Sequence, residues 1–247
     1  YIYIIRPLPQ SIFSFKFLSF KGWVEFLKVS TPSLFLLSAE WWGWGVLAVV
    51  AATLTQEDFT VFIFVANIMI DVSFIQIGFG MANSILSNRE FRKGNIKNAK
   101  NYFKIISFFS ILINILISFF IYFFGKKFFQ EFFDEENLTQ KTGNIFNVLC
   151  FILIFDLIQF LFSAFFRGIG KLSYSFVISF LDFFVFQIGL GFVFSKFFEY
   201  DISGIFVGIL ISSIVTDMIY LVVFMSIDYK VVLFDNRRRI SFSEDNR

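Results

Sequence analysis

Long apolar runs separated by short polar clusters dominate the chain. Six of them, at about 33–55, 59–82, 105–125, 145–166, 173–195 and 203–225, reach the roughly 20 residues that a helix needs to cross a bilayer core. None of the six contains Lys or Arg. Hydrocarbon offers no partners to backbone N–H and C=O groups, so each run must satisfy its own, which favours helices. A barrel would need alternating apolar and polar positions, and these are absent. The pattern predicts an all-α membrane protein with a six-transmembrane-helix bundle over residues 31–225. The turn Arg167-Gly168-Ile169-Gly170-Lys171 suits a tight antiparallel connection between the fourth and fifth runs. Residues 11–29 differ: Lys16, Lys21 and Lys28 are interleaved with Phe13, Phe17, Leu18, Phe20, Trp23, Phe26 and Leu27. That pattern predicts an amphipathic helix at the membrane interface, within a cytosolic connection over residues 1–30. Residues 226–247 read as a cytosolic tail.

Composition agrees with the pattern. Only 16% of the 247 residues are charged and the mean hydropathy is +0.75, whereas a soluble domain carries about 25% charged residues. The 43 Phe residues need no special role, because lipid accepts any bulky apolar side chain. There is no His, and Cys150 stands alone, so neither a His-based triad nor a Cys/His metal site can be assembled. No glycine-rich phosphate loop is present. The expectation is a protein without catalytic residues, metal or organic cofactor.

The net charge of +2 matters less than its placement. Most Lys and Arg residues fall in the N-terminal segment, the 87–104 connection, the 167–172 turn and the tail, whereas Lys126, Lys127, Lys141 and Lys196 fall on the other side. The bias predicts that both ends are cytosolic. It also marks the basic 87–104 connection as a membrane-surface loop rather than a nucleic-acid patch. The sequon Asn137-Leu138-Thr139 then lies on the opposite face, in agreement. The first residue is Tyr, and Tyr1–Ile5 reads as the stub of a preceding hydrophobic segment, so a fragment of a longer chain is expected.

The chemistry lies in five carboxylates inside the runs: Glu40, Asp71, Asp156, Asp182 and Asp217. Each ionised acid at mid-bilayer costs about 2.5–3.5 kcal/mol on an insertion scale. With no cationic side chain in the runs, the acids must line a wet cavity, be protonated, or bind a mobile cation. Helical spacing supports a lined cavity. Asp156, Gln159, Ser163 and Arg167 form one stripe; so do Ser175, Ser179 and Asp182; Ser213 and Asp217, with Thr216 beside them, form a third; Asn67 and Asp71 form a fourth. Four helices are thus expected to turn polar stripes toward one interior.

The order of features resembles the eukaryotic branch of the MATE (multidrug and toxic compound extrusion) exporters. Pro32 followed by Glu40-Trp41-Trp42 is similar to the family's seventh span, where a Pro precedes "EWW". Gly78-Phe79-Gly80, then Glu90 and Gly94-Asn95, resembles the segment "GLGAAASTRVSNELGAGN". Asp156, Leu157 and Gln159 ahead of Arg167-Gly168-Ile169-Gly170 look like the tenth span, with its acid eleven positions before "RGSG". The resemblance covers almost the whole chain. It implies the second of two six-helix bundles that rock about a central cavity, with a missing N-terminal lobe as partner. It implies exchange of H+ or Na+ for organic cations or small metabolites, and it carries the family's essential acids onto Glu40 and Asp156.

The sequence also departs from the family. Gly45 stands where most eukaryotic members have a second Glu, Asn67 stands where some animal members have an acid, and Leu86 and Arg89 replace the Arg and Asn of "RVSN".

The expected transport and cation-binding residues are therefore Glu40, Asp156, Asp71 and Asp182, and the expected cavity lining is Trp41, Trp42, Asn67 and Gln159. The expected function is antiport with H+ or Na+ as the coupling ion, in a plasma or a vacuolar or vesicular membrane. Two alternatives stand beside it. One is an inactive or structural half-transporter. The other is a lipid-linked oligosaccharide flippase, which would need cationic side chains to hold a pyrophosphate.

Overall fold

The computed structural model describes residues 22–132 and 136–234. It is all-helical: α1 (Trp23–Ala52), α2 (Gln56–Arg92), α3 (Ile96–Phe132), α4 (Glu136–Gly168), α5 (Leu172–Phe197) and α6 (Asp201–Ser226). A short helical stretch follows at 229–234. Helices α2 to α6 are each long and apolar enough to cross a membrane. The helices overrun the apolar runs at both ends. At 1.5 Å per residue, the 37 residues of α2 span about 55 Å, well beyond a hydrocarbon core of roughly 30 Å. Its charged ends, Glu57 and Asp58 at the start and Arg89 and Arg92 at the finish, stand outside the apolar stretch with signs that suit the helix dipole.

Local chemistry sets the helix boundaries. Thr55 caps α2: its Oγ1 accepts from the Asp58 N–H at 3.1 Å, while its hydroxyl donates to Asp58 Oδ2 at 2.7 Å. Asp58 is fully buried and also accepts from Lys141 Nζ of α4 at 2.9 Å. Gly94 (φ 89°) ends α2 and Gly170 (φ 82°) ends α4, both in the left-handed conformation that only glycine adopts without strain.

The amphipathic helix expected at 11–29 lies mostly outside the described residues. From Trp23 onward the segment forms the first turns of α1, so the boundary expected at residue 30 falls inside one unbroken helix. Helix α6 ends at Ser226, and the residues just beyond it belong to the packed body. Tyr229 and Val232 are buried, the Tyr229 hydroxyl donates to the Phe224 carbonyl at 2.7 Å, and Lys100 Nζ sits 3.9 Å over the Tyr229 ring.

Helix α4 is the centre of the bundle and packs against α2, α3, α6 and the start of α5. Helix α3 is the most peripheral and turns Phe108, Phe109, Phe119, Phe120, Phe123 and Phe124 outward, as suits lipid. Helices α5 and α6 approach closely through small residues. A Cβ on Gly208 would stand 2.5 Å from the Gly191 N, and one on Gly204 would stand 2.6 Å from the Phe194 carbonyl carbon.

Buried apolar residues divide into two clusters. One holds Phe62, Val65, Leu149, Ile152, Ile205 and Phe206; the other holds Phe91, Phe103, Leu161, Phe165, Phe166 and Tyr220. Between them along α2, α4 and α6 lies a layer of buried polar groups that includes Gln76, Gln159, Ser212, Ser213, Thr216 and Asp217. The amides here tie helices together: Gln76 Nε2 and Asn114 Nδ2 both donate to the Leu153 carbonyl, and Asn83 Nδ2 donates to the Leu161 carbonyl.

Candidate cation site in the polar layer

Glu40 on α1 and Asp156 on α4 line one small cavity, shared with Trp41, Trp44, Ser73 of α2 and Gln187 of α5. Its volume is about 30 Å³, room for a water molecule or one small ion but not for an organic molecule. Asp156 lies deep in the bundle and keeps some accessible surface because it faces this hollow. Neither acid forms an ion pair with a Lys or Arg of the described residues; the ion pairs there join Lys93 to Glu90, and Lys141 to Glu57 and Asp58. Arg167, at the exposed end of the Asp156 stripe, forms an ion pair with neither acid. No group of three or more metal-ligating side chains converges among the described residues.

Behind the cavity lies Asp182, which is fully buried. Its Oδ2 accepts from Gln159 Nε2 of α4 at 2.7 Å and from Gln187 Nε2 at 3.0 Å. Its Oδ1 accepts from the hydroxyls of Ser212 and, at 2.9 Å, Thr216, both on α6. One carboxyl group therefore joins three helices with four side-chain donors, an arrangement that suits a carboxylate. A set of hydroxyls continues toward the Arg167 end. Ser163 and Ser175 share a 2.5 Å hydrogen bond, Ser179 and Tyr220 share one of 3.1 Å, and the Tyr220 hydroxyl donates to the Ser175 carbonyl at 3.4 Å.

Three of the four expected polar stripes thus meet in the interior. The fourth does not. The buried face of α2 runs through Val61, Val65, Met69, Val72, Gln76 and Gly80, and Asn67 and Asp71 lie on the opposite, exposed face. Asn67 Nδ2 donates to the Ile63 carbonyl one turn earlier. Asn67 and Asp71 are not among the residues that line this cavity: the core stripe of α2 takes the inward positions, and Ser73 is the polar residue of that helix at the cavity. Trp41 edges the cavity and Trp42 does not line it, although the two are similarly exposed, at 52% and 57%.

Gln187, Ser212, Trp44 and Tyr220 were not anticipated. Gln187 has a definite physical reason. Five α-helical residues turn the chain about 140° off the starting face at 3.6 residues per turn, so periodicity separates Gln187 from Asp182. Residues Leu181–Gln187 instead form a π-helix, whose wider turn brings position i+5 back over position i.

Comparisons place these features among known proteins. Multidrug and toxin extrusion protein 1 of Xenopus tropicalis is 22% identical over 211 residues, 85% of this chain and 37% of that protein. The protein of the same name from Danio rerio is 20% identical over 149 residues, 60% of this chain and 25% of that protein. Among solved structures, the eukaryotic MATE transporter AtDTX14 superposes with a TM-score of 0.79 at 20% identity, over 90% of this chain and 50% of that one. An outward-facing multidrug resistance MATE family transporter of the MOP superfamily gives a TM-score of 0.72 at 19% identity, over 93% of this chain and 49% of that one. The chain therefore spans about half the length of these transporters or less, and it has their fold. The MatE family model matches residues 32–193, most of the chain and both cavity acids, and the chain belongs to that family of membrane transporters.

Proposed function

We propose that the protein is a secondary antiporter that exports organic cations or small metabolites in exchange for H+ or Na+, with Glu40 and Asp156 as the cation site. The observation that carries this reading is the cavity the two acids share, without a cationic side chain paired to either among the described residues. Two carboxylates there favour a small positive guest. A proton or Na+ entering from one side neutralises them, and an organic cation competes for the same charge. The cavity holds the ion alone, so the organic substrate binds against the exposed surface around Trp41, facing a second six-helix lobe. In this reading α1 is the sixth span beside α2–α6, the protein is multi-pass in the plasma or a vacuolar membrane, and both chain ends are cytosolic. The acidic, cation-free site speaks against a lipid-linked oligosaccharide flippase, whose pyrophosphate needs positive side chains.

The test is dye efflux from vesicles holding the protein expressed from its complete reading frame, under an imposed pH or Na+ gradient. Glu40→Gln and Asp156→Asn each abolish gradient-driven efflux of a cationic dye while the protein still reaches the membrane. Unchanged efflux in either variant removes that residue from the mechanism. The alternative of an inactive or structural half-transporter predicts instead that the same vesicles move no dye under any gradient.

A further inference from the structure

Asp182 and Asp217 sit in the same polar layer with opposite surroundings. Asp182 accepts four hydrogen bonds. Asp217 is 8% exposed, and neither of its carboxyl oxygens has a hydrogen-bond partner. An ionised carboxylate left bare in a protein interior is among the most costly groups a fold can hold, whereas a protonated one is tolerated. The other acids in this layer, Asp156 of α4 and Asp182 of α5, are of the same sign, and among the described residues no Lys or Arg forms an ion pair with Asp217.

Asp217 is also placed for traffic. It stands on the face of α6 that carries Ile209, a wall of the Glu40–Asp156 cavity, with Ser213 one turn between them. Tyr220 follows Asp217 by one turn in the other direction and opens the hydroxyl set of Ser179, Ser175 and Ser163. The acid thus lies between the cavity and a run of groups that each can accept one proton while donating another.

We propose that Asp217 is a second proton-carrying site, and that the hydroxyls of Tyr220, Ser179, Ser175 and Ser163 serve it from the Arg167 end of the bundle. The Oδ–H bond of Asp217 breaks as a bridging water takes the proton and releases one of its own to the next oxygen. Every oxygen along the run ends with the protons it began with, and one proton emerges at the far end. This role rests on the antiporter reading for its purpose, but its test does not.

Infrared difference spectroscopy on the protein from its complete reading frame, in lipid, reads the carbonyl stretch of protonated carboxyl groups and its shift on transfer to D2O. An exchangeable band that persists in Glu40→Gln and in Asp156→Asn is expected, and it is lost in Asp217→Asn. Tyr220→Phe, which keeps the ring packing, leaves the band in place but slows its exchange by about a hundredfold, the low end of what a positioned proton donor contributes. A spectrum in which Asp217→Asn removes no band overturns the assignment of the site, and unchanged exchange in Tyr220→Phe overturns the hydroxyl route. Failure of the antiporter reading shows separately, as absent dye efflux in the wild type with the infrared results intact.

Discussion

Replacing Gly208 with Ala tests the packing that holds the polar layer together. A Cβ at Gly208 would lie 2.5 Å from the Gly191 N and 2.7 Å from its Cα. Ordinary contact between such atoms is about 3.5–4.0 Å, so α5 and α6 must separate by about 1 Å locally. The obstacle is backbone, and no side chain can swing aside. Overpacking of this kind costs about 1–3 kcal/mol. A helical Gly→Ala change also gains up to about 1 kcal/mol from propensity, which would mask part of the loss. Gly189 supplies the control: it lies on α5 two residues from Gly191, and a Cβ there meets nothing within 4 Å. Because the propensity gain is common to both variants, the difference between Gly208→Ala and Gly189→Ala isolates the helix contact at about 1–3 kcal/mol. Reversible unfolding in mixed micelles, followed by far-ultraviolet circular dichroism, measures that difference. Gly208→Ala is expected to be the less stable by at least 1 kcal/mol, roughly a fivefold shift in the folded ratio. Equal stability of the two variants would refute the close approach of α5 and α6. Ser212, one turn beyond Gly208, donates to Asp182, so the separation also strains that carboxylate's α6 contacts.

Other outcomes are open to measurement. Asp182→Leu strands the Gln159 and Gln187 amides and destabilises the bundle by about 2–4 kcal/mol in the same unfolding assay, whereas Asp182→Asn costs less because the Gln159 amide can turn its unpartnered Oε1 to the new donor. Asp58→Ala removes the acceptor shared by the Thr55 hydroxyl and Lys141, and costs about 1–3 kcal/mol, while Glu57→Ala, at the half-exposed end of the same pairing, changes stability by less than about 1 kcal/mol. Asp71→Asn leaves gradient-driven dye efflux unchanged, and its loss would return Asp71 to the mechanism.

The centres of the helices follow from the apolar runs, because any stretch that long and apolar without a Lys or Arg has one stable state in lipid. Their ends do not follow as well. The charged turns around Arg89 and Glu57 are helical too, beyond both ends of the apolar run. The site divides in a similar way. Asp156, Gln159 and Ser163 are spaced as a regular helix spaces them, and they do share one interior face. Asn67 and Asp71 satisfy the same spacing, but spacing alone does not say which face of a helix turns inward; on α2 the apolar stripe through Met69 and Val72 decides it. Gln187 escapes because its helix abandons the 3.6-residue period at that place. Tyr220 reads as one more aromatic in an apolar run, and only the fold reveals two serines from α5 at its hydroxyl.

The division of the interior into two apolar clusters bears on how the bundle yields. Interlocked hydrocarbon resists sliding, since every shift opens a void that nothing fills. Hydroxyls and amides exchange one partner for another, or for water, at small net cost. The molecule is accordingly stiff at its two extremities and compliant at mid-height, where a guest can swell the structure without loosening either grip.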